Sequence, residues 1–242
     1  MKTILQDVIA HTHGLGCIDL IKVVGTPTGT NIAAVADDKS VIVNGVFATP
    51  VPSFEGIFGM PNLGQLKTVL GFDDYDAAAK ITVQRTTKDG VDTPSNIHFE
   101  TKNSDFVNDY RLMAKAIIED KVKSVSLACA WNVEFQPSIA GILRLKKQWQ
   151  ANSAEATFTT KIDNGDLRIY FGDPSTHSGN FVFQPAVTGT LTRQWMWPVK
   201  QFLSIMDLVG DKTIKISDQG AAEIVVDSGT AVYTYWLPAQ AK

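Results

Sequence analysis

The sequence predicts an α+β fold of two similar domains, each built from two repeats of one helix followed by antiparallel strands. The hydrophobic period switches between helical spacing and strict alternation several times along the chain. The stretches MPNLGQLKTVL (residues 60–70) and WPVKQFLSIM (residues 197–206) also follow one pattern, with Pro after a large apolar residue and Leu five positions later. The two prolines lie 137 positions apart in a chain of 242 residues. This spacing indicates a duplicated domain, and the length gives each copy about 120 residues.

Four segments have apolar residues at helical spacing, namely residues 3–13, 61–70, 137–150 and 198–209. The last three begin with Pro, which is tolerated in the first turn of a helix because the N–H there has no partner. We expect the third helix to bury Ile139, Ile142, Leu143 and Trp149, and the apolar arc of the fourth to extend to Val209.

Between these segments lie short alternating runs bounded by Gly, Pro and Asp, which predict strands. Asn164-Gly165 stands between two such runs and predicts a tight hairpin. The predicted order is a helix, three strands, a linking strand, a helix and three strands, and this order occurs twice. The expected boundaries are 1–113 for the first domain, 114–123 for a charged connector and 124–242 for the second domain.

Composition excludes several classes of protein. The net charge of −3 argues against a chain that coats nucleic acid over its whole surface, although it permits a local basic face. No apolar run is long enough to predict a membrane span, and Asp7 interrupts the apolar run that an N-terminal signal peptide would need. Cys17 and Cys129 are far apart in sequence, so they predict neither a disulfide framework nor a thiolate metal site.

The sequence offers little for catalysis. His11 and His13 form an H-x-H pair that a metal hydrolase could use, but His98 and His177 are the only other histidines. The chain has no G-x-S-x-G motif, P-loop or Rossmann fingerprint. We therefore predict no enzyme activity, no cofactor and no metal, and keep a hydrolase that uses the two histidines as a minor hypothesis.

The doubled order of helices and antiparallel strands resembles that of the DNA sliding clamps. The resemblance covers the whole chain as an order of elements and is most specific in QGAAEIVVDSGTAVYTYWLP, residues 219–238, and in the two Pro-led helices. The ending is similar to the Tyr–Leu–Ala–Pro tail of eukaryotic clamps at Tyr235, Leu237 and Pro238, with Trp236 inserted and the Ala missing. The likeness is closest to the processivity clamps of T-even-type tailed phages, which share the fold of proliferating cell nuclear antigen.

This resemblance implies a ring that encircles double-stranded DNA without sequence preference and tethers the replicative DNA polymerase. Six such domains form the family's ring, so a chain with two domains implies a homotrimer. It also implies docking of a clamp loader and of late-transcription factors, no contact with membranes, and a location in the cytoplasm of a bacterial host.

In such a ring the polar sides of the helices face the duplex. The four predicted helices, with Lys2 included, contain six basic and two acidic residues. The residues expected to face DNA are Lys2, His13, Lys67, Arg144, Lys147 and Lys200, whereas Lys146 projects toward the apolar arc of its helix. Contacts of this kind with the phosphate backbone are salt-sensitive and allow sliding.

The resemblance also implies an apolar pocket for short peptides of partner proteins, formed by the connector and the C-terminal segment. Apolar and aromatic side chains are the usual anchors of such motifs. The residues that match are Met113, Ile117 and Ile118 on the connector and Tyr235, Trp236, Leu237 and Pro238 near the C-terminus. Tyr235 and Leu237 are equally compatible with the inward side of a terminal strand.

A structural protein of a virion, such as a tail or baseplate component, is the main alternative, because duplicated antiparallel domains also build those particles. The amphipathic helices distinguish the two hypotheses, because a virion sandwich has no need of four helices with acid-poor outer sides.

Overall fold

A computed structural model describes residues 1–88, 90–123, 125 and 127–240. The chain divides into two units, of which the first is Met1–Val125 with Ser228–Tyr233 and the second is Ser126–Asp227 with Thr234–Lys242. The domain boundaries expected from the sequence stay a prediction, and Ser124, where the second domain is expected to begin, lies outside the described residues. No described helix is long and apolar enough to cross a bilayer.

The first unit follows the predicted order of elements. Its helices are α1 (Lys2–His11), α2 (Leu63–Leu70) and α3 (Lys115–Lys121), and its strands are β1 (Leu20–Thr26), β2 (Gly29–Val35), β3 (Ile42–Phe47), β4 (Gly56–Pro61), β5 (Lys80–Lys88), β6 (Val91–Glu100) and β7 (Val107–Arg111). The strands form antiparallel sheets in the orders β4-β1-β2-β3 and β5-β6-β7. Helix α3 lies in the connector, where the sequence predicted no helix.

The second unit repeats this order. Its helices are α4 (Ile139–Ala151) and α5 (Val199–Met206), and its strands are β8 (Val133–Phe135), β9 (Thr157–Asp163), β10 (Asp166–Gly172), β11 (Ser178–Gln184), β12 (Met196–Pro198), β13 (Asp211–Ser217), β14 (Ala221–Asp227) and β15 (Ala231–Pro238). The sheets have the orders β15-β14-β13-β8 and β11-β10-β9-β12, and the first three residues of β15 belong to the first unit. The predicted hairpin is confirmed, because Asn164 and Gly165 join β9 to β10 with φ angles of 52° and 82°.

The prolines before α2 and α5 do not lie in the first helical turn, so that prediction was wrong. Pro61 pairs with Leu20 and ends the edge strand β4, and Pro198 likewise ends the edge strand β12. An edge strand accepts Pro because the missing N–H need not complete a ladder. After Pro61, Asn62 takes a left-handed conformation, with φ of 54°, and turns the chain into α2.

Helix α4 buries a different side from the one predicted. Ile139 is 80% exposed and Leu143 is 52% exposed, whereas Gly141 and Leu145 face the sheet. A Cβ atom at Gly141 would lie 2.3 Å from the carbonyl oxygen of Phe183 in β11. The helix therefore approaches the strand so closely that only Gly fits, and this approach sets which side of α4 is buried. At the end of α5, Val209 is 85% exposed because the helix stops at Met206.

A cluster of aromatic rings fills the core of the second unit. Phe158 lies against Phe202 with their ring centroids 5.1 Å apart, and the buried Trp197 donates a hydrogen bond from Nε1 to Thr160 Oγ1 at 3.2 Å. Helix α5 is thereby fixed to its sheet, and its opposite side faces outward.

We expect Gly141→Ala to destabilise the chain by about 1–3 kcal/mol, because the added methyl group overlaps the backbone of β11. Helix propensity alone predicts the opposite sign, a gain of about 1 kcal/mol. The measurement is the free energy of unfolding in urea.

Gly64→Ala is the matched control, since a Cβ atom there would meet only the side chain of His13 at 3.4 Å. Equal or greater stability of Gly141→Ala would show that the close approach of α4 to β11 does not constrain this position.

Candidate nucleic-acid interface

Each unit packs two helices side by side, and one side of each pair faces away from the core. In the first unit, α1 contacts α2 and buries Leu5 and Val8, while α2 buries Leu63 and Leu66. In the second unit, α4 contacts α5. We call the exposed sides of these two pairs the helix faces. Their exposed polar residues are Thr3, Gln6, Gln65, Lys67 and Thr68 in the first unit, and Arg144, Lys147, Gln150, Lys200 and Asp207, which follows the last residue of α5, in the second.

The helix faces are poor in carboxylates because the structure turns one of their two acidic side chains inward. Asp7 of α1 accepts hydrogen bonds from Tyr233 Oη at 2.6 Å and from Ser228 Oγ at 3.2 Å. His11, which is buried, stacks on the Tyr233 ring with centroids 4.1 Å apart. Asp7 and His11 thus fasten the first helix to Ser228–Tyr233, and neither contributes to the helix face. The second acidic residue, Asp207, stays exposed.

The six residues predicted to face DNA fall into two groups. Lys67, Arg144, Lys147 and Lys200 are exposed on the helix faces, and within the described part of the chain none of these four cations has an acidic partner. Lys2 and His13 are half-buried and make contacts inside the first unit. Lys2 Nζ donates to the carbonyl of Tyr75 at 2.5 Å, and His13 Nδ1 lies 3.4 Å from Asp19 Oδ1. The role of all six in DNA binding stays a prediction.

Two clefts run along the helix faces at corresponding places. The cleft of the first unit is lined by Gln6, Ile9, Ala10, Gly14, Lys67, Leu70 and Gly71. The cleft of the second unit has a volume of about 350 Å³ and is lined by Lys146, Trp149, Gln150, Lys200, Leu203, Ser204 and Asp207. Lys146 forms an ion pair with Asp207 across this second cleft. Both units therefore have a cleft between their paired helices, but its lining residues differ in chemistry.

The connector residues predicted to bind peptides lie on the first unit. Met113 exchanges backbone hydrogen bonds with Gly59 of β4 at 2.8 and 2.9 Å, and the buried Ile118 packs over the same glycine. Ile117, one residue earlier on α3, is 51% exposed. The connector is thus held to β4, and Ile117 is its exposed apolar side chain.

The C-terminal residues predicted to bind peptides lie in the second unit. Tyr235 and Leu237 are fully buried on β15, and Trp236 is nearly buried and donates from Nε1 to Glu223 Oε2 at 2.8 Å. Pro238 is exposed. A peptide pocket formed by these residues and those of the connector stays a prediction, and the last two residues of the tail, 241 and 242, lie outside the described part.

Sequence reasoning missed a largely apolar row, interrupted by Asn31, on the outer face of the first unit's sheet. Ile57, Val24, Asn31 and Val46 are cross-strand neighbours in successive strands, and Val46 is 57% exposed. Helix α3 of the connector lies near this row, because its Ile118 packs over Gly59, two residues along β4 from Ile57. The signal was Val on both faces of β1 and β3, since a strand with only one buried face usually alternates apolar with polar residues.

The two histidines of the hydrolase hypothesis lie in different surroundings. His11 stacks on Tyr233 in the interior, and His13 points toward Asp19. No group of three or more metal-ligating side chains occurs among the described residues.

Neither a protein-family model nor a curated protein sequence matches the chain. Solved structures do match over its whole length. PCNA from Thermococcus kodakaraensis superposes with a TM-score of 0.68 at 11% identity, covering 99% of this chain and 97% of that one. PCNA from Entamoeba histolytica gives 0.66 at 12% identity, with 99% and 94% covered. A. fulgidus PCNA, bound to the C-terminal region of FEN-1, gives 0.65 at 15% identity, with 100% and 95% covered. The predicted α+β clamp fold is confirmed.

The contacts of the C-terminal strand β15 predict how much stability is lost when the chain is shortened. We expect removal of residues 239–242 to lower stability only slightly, by about 2 kcal/mol or less, because it removes backbone hydrogen bonds from Ala239 to Gly220 and from Gln240 to Met196. Removal of residues 236–242 also deletes the buried Leu237, and a large buried side chain contributes about 2–5 kcal/mol.

Thermal unfolding of both truncated chains, followed by circular dichroism, tests this difference. A chain ending at Tyr235 that unfolds at the same temperature as one ending at Pro238 would show that the end of β15 is not part of the core.

Proposed function

We propose that this chain is a non-enzymatic sliding clamp that encircles double-stranded DNA. The observation that carries the proposal is a clamp fold over the entire chain whose helix faces display Lys67, Arg144, Lys147 and Lys200 and retain a single exposed carboxylate. In the proposed ring these faces turn toward the duplex. The rest of the chain carries the excess of acidic residues, which repels DNA from other surfaces.

The chemistry of the helix faces suits contact with the phosphate backbone rather than with base edges. Lysine and arginine side chains on a helix surface neutralise phosphates without reading sequence. Such contacts release counterions, so the affinity falls steeply with salt and the protein slides along the duplex. A tether of this kind would let a polymerase stay on its template without slowing its movement.

A two-unit chain needs further copies to close a ring, and we propose a homotrimer. Each unit has an edge strand beside exposed apolar side chains. In the first unit, the edge strand β7 begins at Val107, next to the exposed Phe106. In the second, the edge strand β11 lies under α4, which exposes Ile139 and Leu143. Pairing β7 of one copy with β11 of the next would satisfy both edges and cover these four side chains.

The partners of the proposed clamp are peptides of the DNA polymerase and the clamp loader, and of late-transcription factors. Such a peptide would find apolar contacts at the exposed Ile117 of the connector. It would find others at the row of Ile57, Val24 and Val46, in which Val46 is exposed. We further propose a tailed phage as the source and the cytoplasm of its bacterial host as the site of action, on the resemblance of the C-terminal segment and the two Pro-led helices.

The DNA-binding face can be tested by removing its charges. We expect the triple variant Arg144→Gln, Lys147→Gln, Lys200→Gln to bind duplex DNA more weakly, because fewer phosphates are neutralised. Its slope of log K against log salt should be shallower by roughly 0.9 for each phosphate that is no longer neutralised. The measurement is fluorescence anisotropy with a labelled duplex at several salt concentrations.

The matched control neutralises Lys80, Lys102 and Lys161, which are exposed and lie outside the four helices. A second measurement separates encirclement from surface binding. A protein that encircles DNA should be retained on a nicked circular DNA and should be lost when the circle is linearised. Wild-type protein that binds neither form would contradict the proposal and favour a structural virion protein.

The ring can be tested at its edge strand. We expect Val107→Glu to reduce the trimer to monomers at micromolar concentration, because a buried unpaired carboxylate opposes strand pairing. Sedimentation should give three times 26.4 kDa for the wild type. Val91→Glu is the control, since Val91 is 60% exposed at the hairpin between β5 and β6. A Val107→Glu chain that remains a trimer would move the interface elsewhere.

A further inference from the structure

Asp207 is the one exposed carboxylate of the helix faces within the described part of the chain, and helix stability does not explain its position. It follows the last residue of α5, where the helix dipole is negative and a cation would be favoured. Its counterpart in the first unit, 137 positions earlier, is Leu70, and that cleft contains no acidic side chain among its lining residues. The carboxylate is therefore specific to the cleft of the second unit.

Three lysines lie near Asp207, and one of them contacts it. Lys146 of α4 forms an ion pair with it, and Lys200 lines the same cleft. Lys212 donates to the carbonyls of Leu208 and Gly210, the latter at 2.9 Å. Burial lowers the pKa of Lys212, and the nearby charges of Asp207 and Asp211 oppose that shift. The carboxylate thus compensates positive charge at the place where the proposed clamp meets DNA.

The ion pair is accessible and readily exchanged. Lys146 is 40% and Asp207 53% exposed, so both side chains can be approached from solvent. Exposed pairs of this kind contribute little net free energy, because solvent screens the attraction and two long side chains must be ordered. A phosphate oxygen, which also accepts charge-assisted hydrogen bonds, can replace the carboxylate beside Lys146.

We propose that Asp207 competes with the phosphodiester backbone for Lys146 and thereby lowers the affinity of the clamp for duplex DNA, an inference that rests on the proposed function. While Asp207 holds Lys146, the second unit binds the backbone through Arg144, Lys147 and Lys200 alone. Weak binding favours rapid sliding, since the bond to each phosphate must break before the ring moves.

The test is Asp207→Asn in the full chain, with a labelled duplex of mixed sequence as the probe. We expect the slope of log K against log salt to become steeper by about 0.9 for each additional phosphate that Lys146 neutralises, which corresponds to roughly eightfold tighter binding per phosphate at 0.1 M salt. In the double variant Asp207→Asn, Lys146→Gln we expect the slope of the wild type, because the lysine that would bind the additional phosphate is absent.

Asp163→Asn is the matched control, because it removes the same charge from an exposed site at the hairpin between β9 and β10. We expect it to leave the slope unchanged, and thermal unfolding checks that every variant is folded. An unchanged slope in Asp207→Asn, an equal effect of Asp163→Asn, or a steep slope that persists in the double variant would each overturn the inference.

The failure of the proposed function is distinguishable from the failure of this inference. If wild-type affinity for DNA does not depend on Arg144, Lys147 and Lys200, the helix face of the second unit does not bind DNA and both proposals are wrong. If that dependence holds and Asp207→Asn has no effect, only the competition by Asp207 is wrong.

Discussion

The rest of the structure depends on the burial of one side of each helix pair against its unit. A helix that packs on a sheet can bury only about half of its surface, so the other half must face solvent or a ligand. In the second unit the helix and the sheet approach closely at Gly141, where the helix backbone meets the backbone of β11. Because that close approach fixes the rotation of α4, it also fixes which side chains are displayed.

The charge of the helix faces follows from this packing. The helices carry few acidic residues, and the fold makes the exposed surface poorer still by using Asp7 to hold Tyr233 and Ser228. Asp207 remains on the surface and is neutralised by Lys146. Both carboxylates would repel phosphate if they were exposed and unpaired. Asp7 is instead turned inward, and Asp207 is paired with a lysine. The basic character of the helix faces is therefore a property of the folded chain more than of its composition.

The two units show how a duplicated framework diverges. Both keep a Pro that ends an edge strand just before the second helix, and both keep a cleft between the paired helices. The residues that line the clefts have nevertheless changed, since Leu70 of the first cleft is replaced by Asp207 in the second. Leu70 is buried and Asp207 is exposed, so the two clefts differ in burial as well as in charge.

The order of elements, the hairpin at Asn164-Gly165 and four of the five described α-helices were determined by the sequence alone, because period and turn chemistry are local properties. Sequence also identified Lys67, Arg144, Lys147 and Lys200 as exposed cations. Only tertiary structure decided that Ile139 and Leu143 are exposed, since α4 has apolar residues on two sides and its rotation depends on the carbonyl of Phe183. It likewise decided that Asp7 turns inward while Asp207 pairs with Lys146, because each of these interactions joins residues that are distant in the chain.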